Sequence, residues 1–229
     1  MWYVSISMCG RYTQTNTLSD LIESYEVDEV ILQELIELSF NLAPSQVAPV
    51  IYFNQKHILR PFHWGIQPSW AVPRSKRWIN ARSETVWEKP AFRVLIETQR
   101  CLVPASGFYE FQPNPAGLKT PHYFTPAEGN LISFAGLWTE SEEGGTFTIL
   151  TTEANEEVSN FHDRMPVVLE KENFPEWLQT PLSRLRFAEL VKPRANGYFK
   201  VRPVSSRVNS PANNDPELIL TVPTQGCLF

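Results

Sequence analysis

Short β-branched and aromatic runs succeed one another along this chain without the regular strand–helix alternation that builds a doubly wound parallel sheet. Val47–Phe53 and His57–Trp64 read as strands, joined through Asn54-Gln55-Lys56 as a hairpin. Further strands are expected at 100–103, 108–111, 122–124, 131–137, 146–151 and 199–204. Helices are expected over 29–38, where Ile31, Leu35 and Leu38 fall at i, i+4 and i+7, and over 91–98 and 182–191. Thr17-x-x-Asp20 has the form of a capping box that opens another helix. Glu153, Glu156 and Glu157 crowd the first turn of a helix, where the dipole favours anions; that helix should run towards His162 and stop before Pro166. The pattern predicts an α+β fold, compact and β-rich, with mixed and antiparallel strands and several peripheral helices. The 19 prolines, about 8% against a usual ~5%, imply many loops around that framework.

A chain of 229 residues reads as one domain able to bury roughly 70–75% of its unfolded surface. No apolar stretch approaches the ~20 residues that span a bilayer. Residues 1–7 lack the basic start and apolar core of a signal peptide, so an intracellular, cytoplasmic protein is expected. Cys9, Cys101 and Cys227 are too scattered for a disulfide framework or a metal site, and neither metal nor cofactor is expected. The net charge of −5 argues against a broadly basic nucleic-acid coat. A local groove remains open: Arg74, Lys76, Arg77 and Arg82 interleave with Trp70 and Trp78, a mixture suited either to phosphates and stacked bases or to a solvated loop.

Cys9 sits in Met8-Cys9-Gly10-Arg11-Tyr12. If synthesis starts at Met8, Met removal leaves Cys9 first, with a free α-amine beside its thiol. Such a 1,2-aminothiol condenses with an aldehyde to an imine, and the thiol then closes a stable five-membered thiazolidine. An internal thiol gives only a reversible hemithioacetal. Residues 1–7 are therefore expected to be a misplaced start or a clipped segment, followed by one domain over 8–222 and a tail over 223–229.

On an extended segment alternate side chains share a face, which pairs Cys9 with Arg11, and Asn80 with Arg82 if 79–83 is a strand. Gly10 removes a side chain where another backbone or a ligand could come close. Glu110 lies within Gly107-Phe108-Tyr109-Glu110-Phe111. Buried there, its pKa would rise and suit general acid–base work; on an edge strand it would simply face water. Cys101 reads as a small core residue and Cys227 as part of the tail. His162 reads equally as a helix-exit residue or as an acid–base group.

Nine motifs in order carry a family resemblance. They are Met8-Cys9-Gly10-Arg11-Tyr12, Asn41-Leu42-Ala43-Pro44-Ser45-Gln46, Trp64-Gly65, Asn80-Ala81-Arg82-Ser83-Glu84-Thr85 and Arg100-Cys101-Leu102-Val103-Pro104. Gly107-Phe108-Tyr109-Glu110, Ala135-Gly136-Leu137-Trp138, His162-Asp163-Arg164-Met165-Pro166 and Val204-Ser205 complete the series. Together they resemble the SOS response-associated peptidase (SRAP) family, the abasic-site processing proteins. The resemblance implies a positively charged groove for single-stranded DNA containing abasic sites, and Cys9 as the residue that traps the ring-opened sugar. It implies that Asn80 orients the amine, that Glu110 shuttles the proton that opens the sugar, and that His162 assists at the sugar oxygen. Arg11 and Arg82 would hold flanking phosphates; Trp70, Pro44 and Phe111 would shape the groove around splayed bases. Family members usually carry Glu-Trp where this chain has Glu110-Phe111, so altered DNA affinity is expected. A DNA-damage role, nucleoid association in a bacterium, and some lyase or self-cleaving peptidase activity also follow from the resemblance; a monomer is expected because the sequence carries no heptad pattern. Two other readings compete: a thiol peptidase using Cys9 with His162 as base, and a non-covalent nucleic-acid-binding module.

Overall fold

The computed structural model describes residues 10–31, 37–67, 77–113, 119–141, 144–179 and 181–223. Two sheets organise it. The smaller is antiparallel, in the order Phe199–Pro203, Lys119–Pro126, Gly107–Pro113, Tyr12–Gln14, Ser39–Leu42. The larger contains a closed ring of five strands. Val47–Phe53 pairs with His57–Trp64 on one edge and Arg100–Ala105 on the other; Arg100–Ala105 continues to Ile132–Ser141, and that strand to Gly144–Glu153. Thr146 and Phe147 then lie parallel beside His63 and Trp64 and seal the ring. Asn80–Arg82 adds in parallel to Gly144–Glu153, and Arg164–Pro166 antiparallel to it.

The ring strands bury both faces, and their period of two sorts residues into two cores. Val50, Tyr52, Ile58, Phe62, Cys101, Val103, Phe134 and Ile149 join Tyr12, Leu42, Phe108, Phe124 and Phe199 of the smaller sheet. Their neighbours Ile51, Leu59, Leu102, Ala135 and Leu150 turn the other way, towards Leu21, Phe92, Ile96, Trp177 and Phe187 of the helices. Those helices are Leu18–Tyr25, Pro90–Thr98, Phe174–Leu178 and Arg184–Leu190. Cys101 is wholly buried, as its apolar setting suggested, and burial pushes its thiol pKa well up.

The α+β class and the hairpin hold, and the Thr17–Asp20 capping box is present with both reciprocal bonds. The helix expected at 29–38 does not begin there. Glu29–Val30 is a strand parallel to His57–Trp64, with Asp28 and Ile31 amides donating to the His57 and Leu59 carbonyls. The unpaired edge of the hairpin satisfies that backbone, and the apolar spacing gave no hint of it. The helix aimed at His162 is also shorter. Glu156–Ser159 ends early because the chain turns back to pair Arg164–Pro166 with the strand that precedes it.

Candidate active site

Glu110 does not face water. Its strand is central in the smaller sheet, opposite His122 on one side, and the side chain is only 4% exposed. Alternation puts it on the face of Phe108, which enters the core. On the other side Tyr12 pairs with Phe108, and the Tyr109 amide donates to the Arg11 carbonyl at 3.0 Å. Continuing the same register sets Gly10, which has no side chain, across from Glu110.

Asn80 and Arg82 are held by the parallel pairing of Asn80 with Ile149 and Arg82 with Thr151. Ala81 between them is buried in the helix-side core, so both polar side chains lie on the opposite face. Asn80 is half-buried and Arg82 exposed. The Trp64 indole donates to the Ile79 carbonyl at 2.8 Å and fixes the start of this strand.

His162 leaves the short helix with its amide bonded to the Val158 carbonyl at 3.0 Å. Its ring Nδ1 lies 3.0 Å from the Arg164 amide and 2.9 Å from Asp163 Oδ1. In the neutral ring Nδ1 accepts from the amide, which leaves the proton on Nε2; in the charged ring it donates to Asp163. This loop reaches the Glu110 strand through Gln112 Nε2, which donates to the Asn160 carbonyl at 3.3 Å, and the neighbouring strand through His122, whose ring lies 4.6 Å from that of Phe161. Arg164 ties it to the Asn80 strand. Its Nη1 and Nη2 bind the two Glu84 carboxylate oxygens at 2.7 and 2.8 Å, and Nη2 also donates to the Thr151 carbonyl. The segments bearing Asn80, Glu110 and His162 are thus fastened to one another.

The remaining site residues are spread more widely. Arg11 Nη1 donates to Asn41 Oδ1 and to the Val208 carbonyl, both at 2.7 Å, and burial lowers its pKa. Asn41 lies in the strand Ser39–Leu42, and in the turn that follows it Pro44 is exposed. Phe111 is half-buried against the cluster of Tyr109, Tyr123, Val204, Val208 and Leu218. Cys9 and Trp70, with Arg74, Lys76 and Cys227, lie outside the described residues. Among the described residues no group of three His, Cys, Asp or Glu could hold a metal, and no helix is long and apolar enough to cross a membrane.

The Glu84–Arg164 pair was missed by sequence reasoning, although both residues stand inside quoted motifs. Arg164 is buried while Glu84 is partly open. Burial, the largest single influence, raises the Glu84 pKa, but the Arg164 hydrogen bonds, a backbone hydrogen bond and the charges of Arg164 and Arg82 together outweigh it and hold the carboxyl below its ordinary value. A depressed carboxylate stabilises the fold above its unfolded pKa, near 4.5, and loses that contribution as pH falls through the lower folded value. Glu84→Gln is therefore expected to cost about 1–2 kcal/mol at pH 7, less than the ~3–5 of a fully buried pair. Urea unfolding at pH 7 and pH 3 should show the gap from wild type shrinking in acid; a pH-independent gap would refute the assignment.

A family model described as SOS response associated peptidase (SRAP) matches residues 8–211. The chain is 38% identical over 221 residues to the abasic site processing protein YoqW of Bacillus subtilis, covering 93% of this chain and 99% of that one. It is 30% identical to the abasic site processing protein YedK of Escherichia coli, covering 94% and 100%. The same comparison finds the abasic site processing protein HMCES of Gallus gallus at 33% identity, covering 80% and 66%. A crystal structure of a Bacteroides thetaiotaomicron protein superposes with a TM-score of 0.83 at 26% identity, covering 93% and 100%.

Proposed function

From the premise that the chain belongs to the SOS response associated peptidase family, we propose that it captures abasic sites in single-stranded DNA as a covalent thiazolidine at Cys9. The observation that carries this reading is the buried Glu110 carboxyl, on a strand whose register with Tyr12–Gln14 leads back to the glycine bonded to Cys9 and whose Gln112 bonds the loop of His162.

The proposed chemistry runs in three steps. The abasic sugar opens as its C1–O4 bond breaks: O4 gains a proton, the anomeric hydroxyl loses one, and an aldehyde is left. Glu110 and His162 act as the proton donor and acceptor. The Cys9 α-amine, oriented by Asn80, then condenses with the aldehyde to an imine and releases one water. Finally the thiol adds to the imine carbon while its proton passes to the nitrogen, closing the ring. No electrons are exchanged with any other group. Arg82, exposed beside Asn80, meets a backbone phosphate, and Pro44, Phe111 and Trp70 contribute to the DNA path. An unpaired strand suits the site because an abasic nucleotide there costs little to turn outwards.

The test mixes protein beginning at Cys9 with single strands that carry or lack one abasic site, followed by a denaturing gel. A heat-stable band with the abasic strand alone is expected. An equally stable band from Cys9→Ser, which keeps the amine, would exclude ring closure. Glu110→Gln should bind DNA normally and crosslink about 10²-fold more slowly, within the usual range for losing an acid–base group; unchanged single-turnover rates would remove Glu110 from the reaction.

A further inference from the structure

Immediately beside Asn80 and Arg82 a cleft of about 410 Å³ opens, walled by Trp78, Phe92 and Pro90, with Lys89 at its edge. Its two rings stand edge to face at 5.9 Å, so that Phe92 braces the half-buried Trp78 and holds it in place. Arg82 and Lys89 are exposed. The walls are thus largely apolar and aromatic, while the cations sit at the rim.

From this arrangement we infer that the cleft seats the nucleobase of the nucleotide adjoining the abasic site. The inference rests on the DNA-capture reading and deepens it. A damaged nucleotide has no base, so it offers the protein nothing to stack on. The adjoining nucleotide is joined to it by one phosphodiester, and the cleft shares Asn80 and Arg82 with the proposed reaction site. A base entering it would lie against Trp78, a contact that every base can make through its flat face. The phosphate between the two nucleotides would pass Arg82, and the next one Lys89. The charges match a strand: apolar walls for the base, cations where the backbone runs. The neighbouring base therefore supplies affinity that the lesion cannot, and places the sugar at Asn80.

The experiment uses protein beginning at Cys9 and labelled single strands in which a tetrahydrofuran replaces the abasic sugar, so that binding is measured without reaction. Removing the base on one side of the lesion should weaken binding about tenfold, removing it on the other side much less, and a purine should bind better than a pyrimidine. In Trp78→Leu that one-sided effect should disappear. Lys89→Gln, an exposed change that leaves the core intact, should lower the slope of log affinity against log salt by about one ion. Equal binding with and without the neighbouring base on both sides would overturn the inference, as would a one-sided effect that persists in Trp78→Leu. The same protein run with authentic abasic strands reports separately on capture: absence of a covalent band there would defeat the thiazolidine reading and leave the binding data to judge the cleft.

Discussion

A chain that keeps residues 1–8 in front of Cys9 is expected to give no heat-stable product with abasic DNA, whereas the chain beginning at Cys9 is expected to give one. The loss is expected to be complete, because an amide nitrogen cannot condense with an aldehyde and the thiol alone forms an adduct that falls apart on denaturation. Intact-mass analysis of the crosslink provides the measurement. The expected product weighs protein plus DNA less one water, and its protein portion starts at Cys9. A stable product from the extended chain, or one that retains the water, would refute the amine's role. Folding should be unaffected, since the first strand of the smaller sheet begins only at Tyr12.

Arg100→Met is expected to destabilise the fold by about 3–5 kcal/mol without touching the proposed chemistry. Arg100 is 3% exposed. Among the described residues it has no acidic partner: its guanidinium donates to the Ile96 and Glu97 carbonyls at the end of one helix and to the Trp177 and Gln179 carbonyls at the end of another. Each set is the group of acceptors that a helix C-terminus leaves unpaired, and the cation also favours the negative end of both dipoles. Burial without a counter-charge lowers its pKa to about 10. Methionine fills similar space but leaves four carbonyls short of donors, at roughly 1–3 kcal/mol each before water relieves some of them. The urea midpoint of the variant should fall accordingly; an unchanged midpoint would show that those carbonyls find other partners.

The hairpin, the capping box and the α+β class could be read directly because their signals are local: alternation, a turn, a cap three residues from its partner. The segment at 29–38 could not. Its apolar spacing suited a helix, and what decides Glu29–Val30 is a free edge on His57–Trp64, out of reach of any window along the chain. Glu110 was legible as a residue of interest and ambiguous in its setting. Its strand could be read, but whether that strand is central or an edge depends on pairing with residues 12–14 and 119–126. The Glu84–Arg164 pair joins two motifs 80 positions apart, and the residue types alone do not announce it. Arg11 was expected to meet phosphates; nothing along the sequence signals that its Nη1 also bonds Asn41 and Val208.

Thr146 and Phe147 lie alongside strand neighbours more than eighty positions earlier, and they run in the same direction. The excursion between them carries Asn80 and Arg82, so these side chains take their places against Ile149 and Thr151 only once the two distant stretches have met. Loop-closure entropy makes that meeting slower and costlier than hairpin formation. On the proposed function, a newly made or partly unfolded chain would lack that amide and guanidinium, and capture of DNA would await completion of the fold.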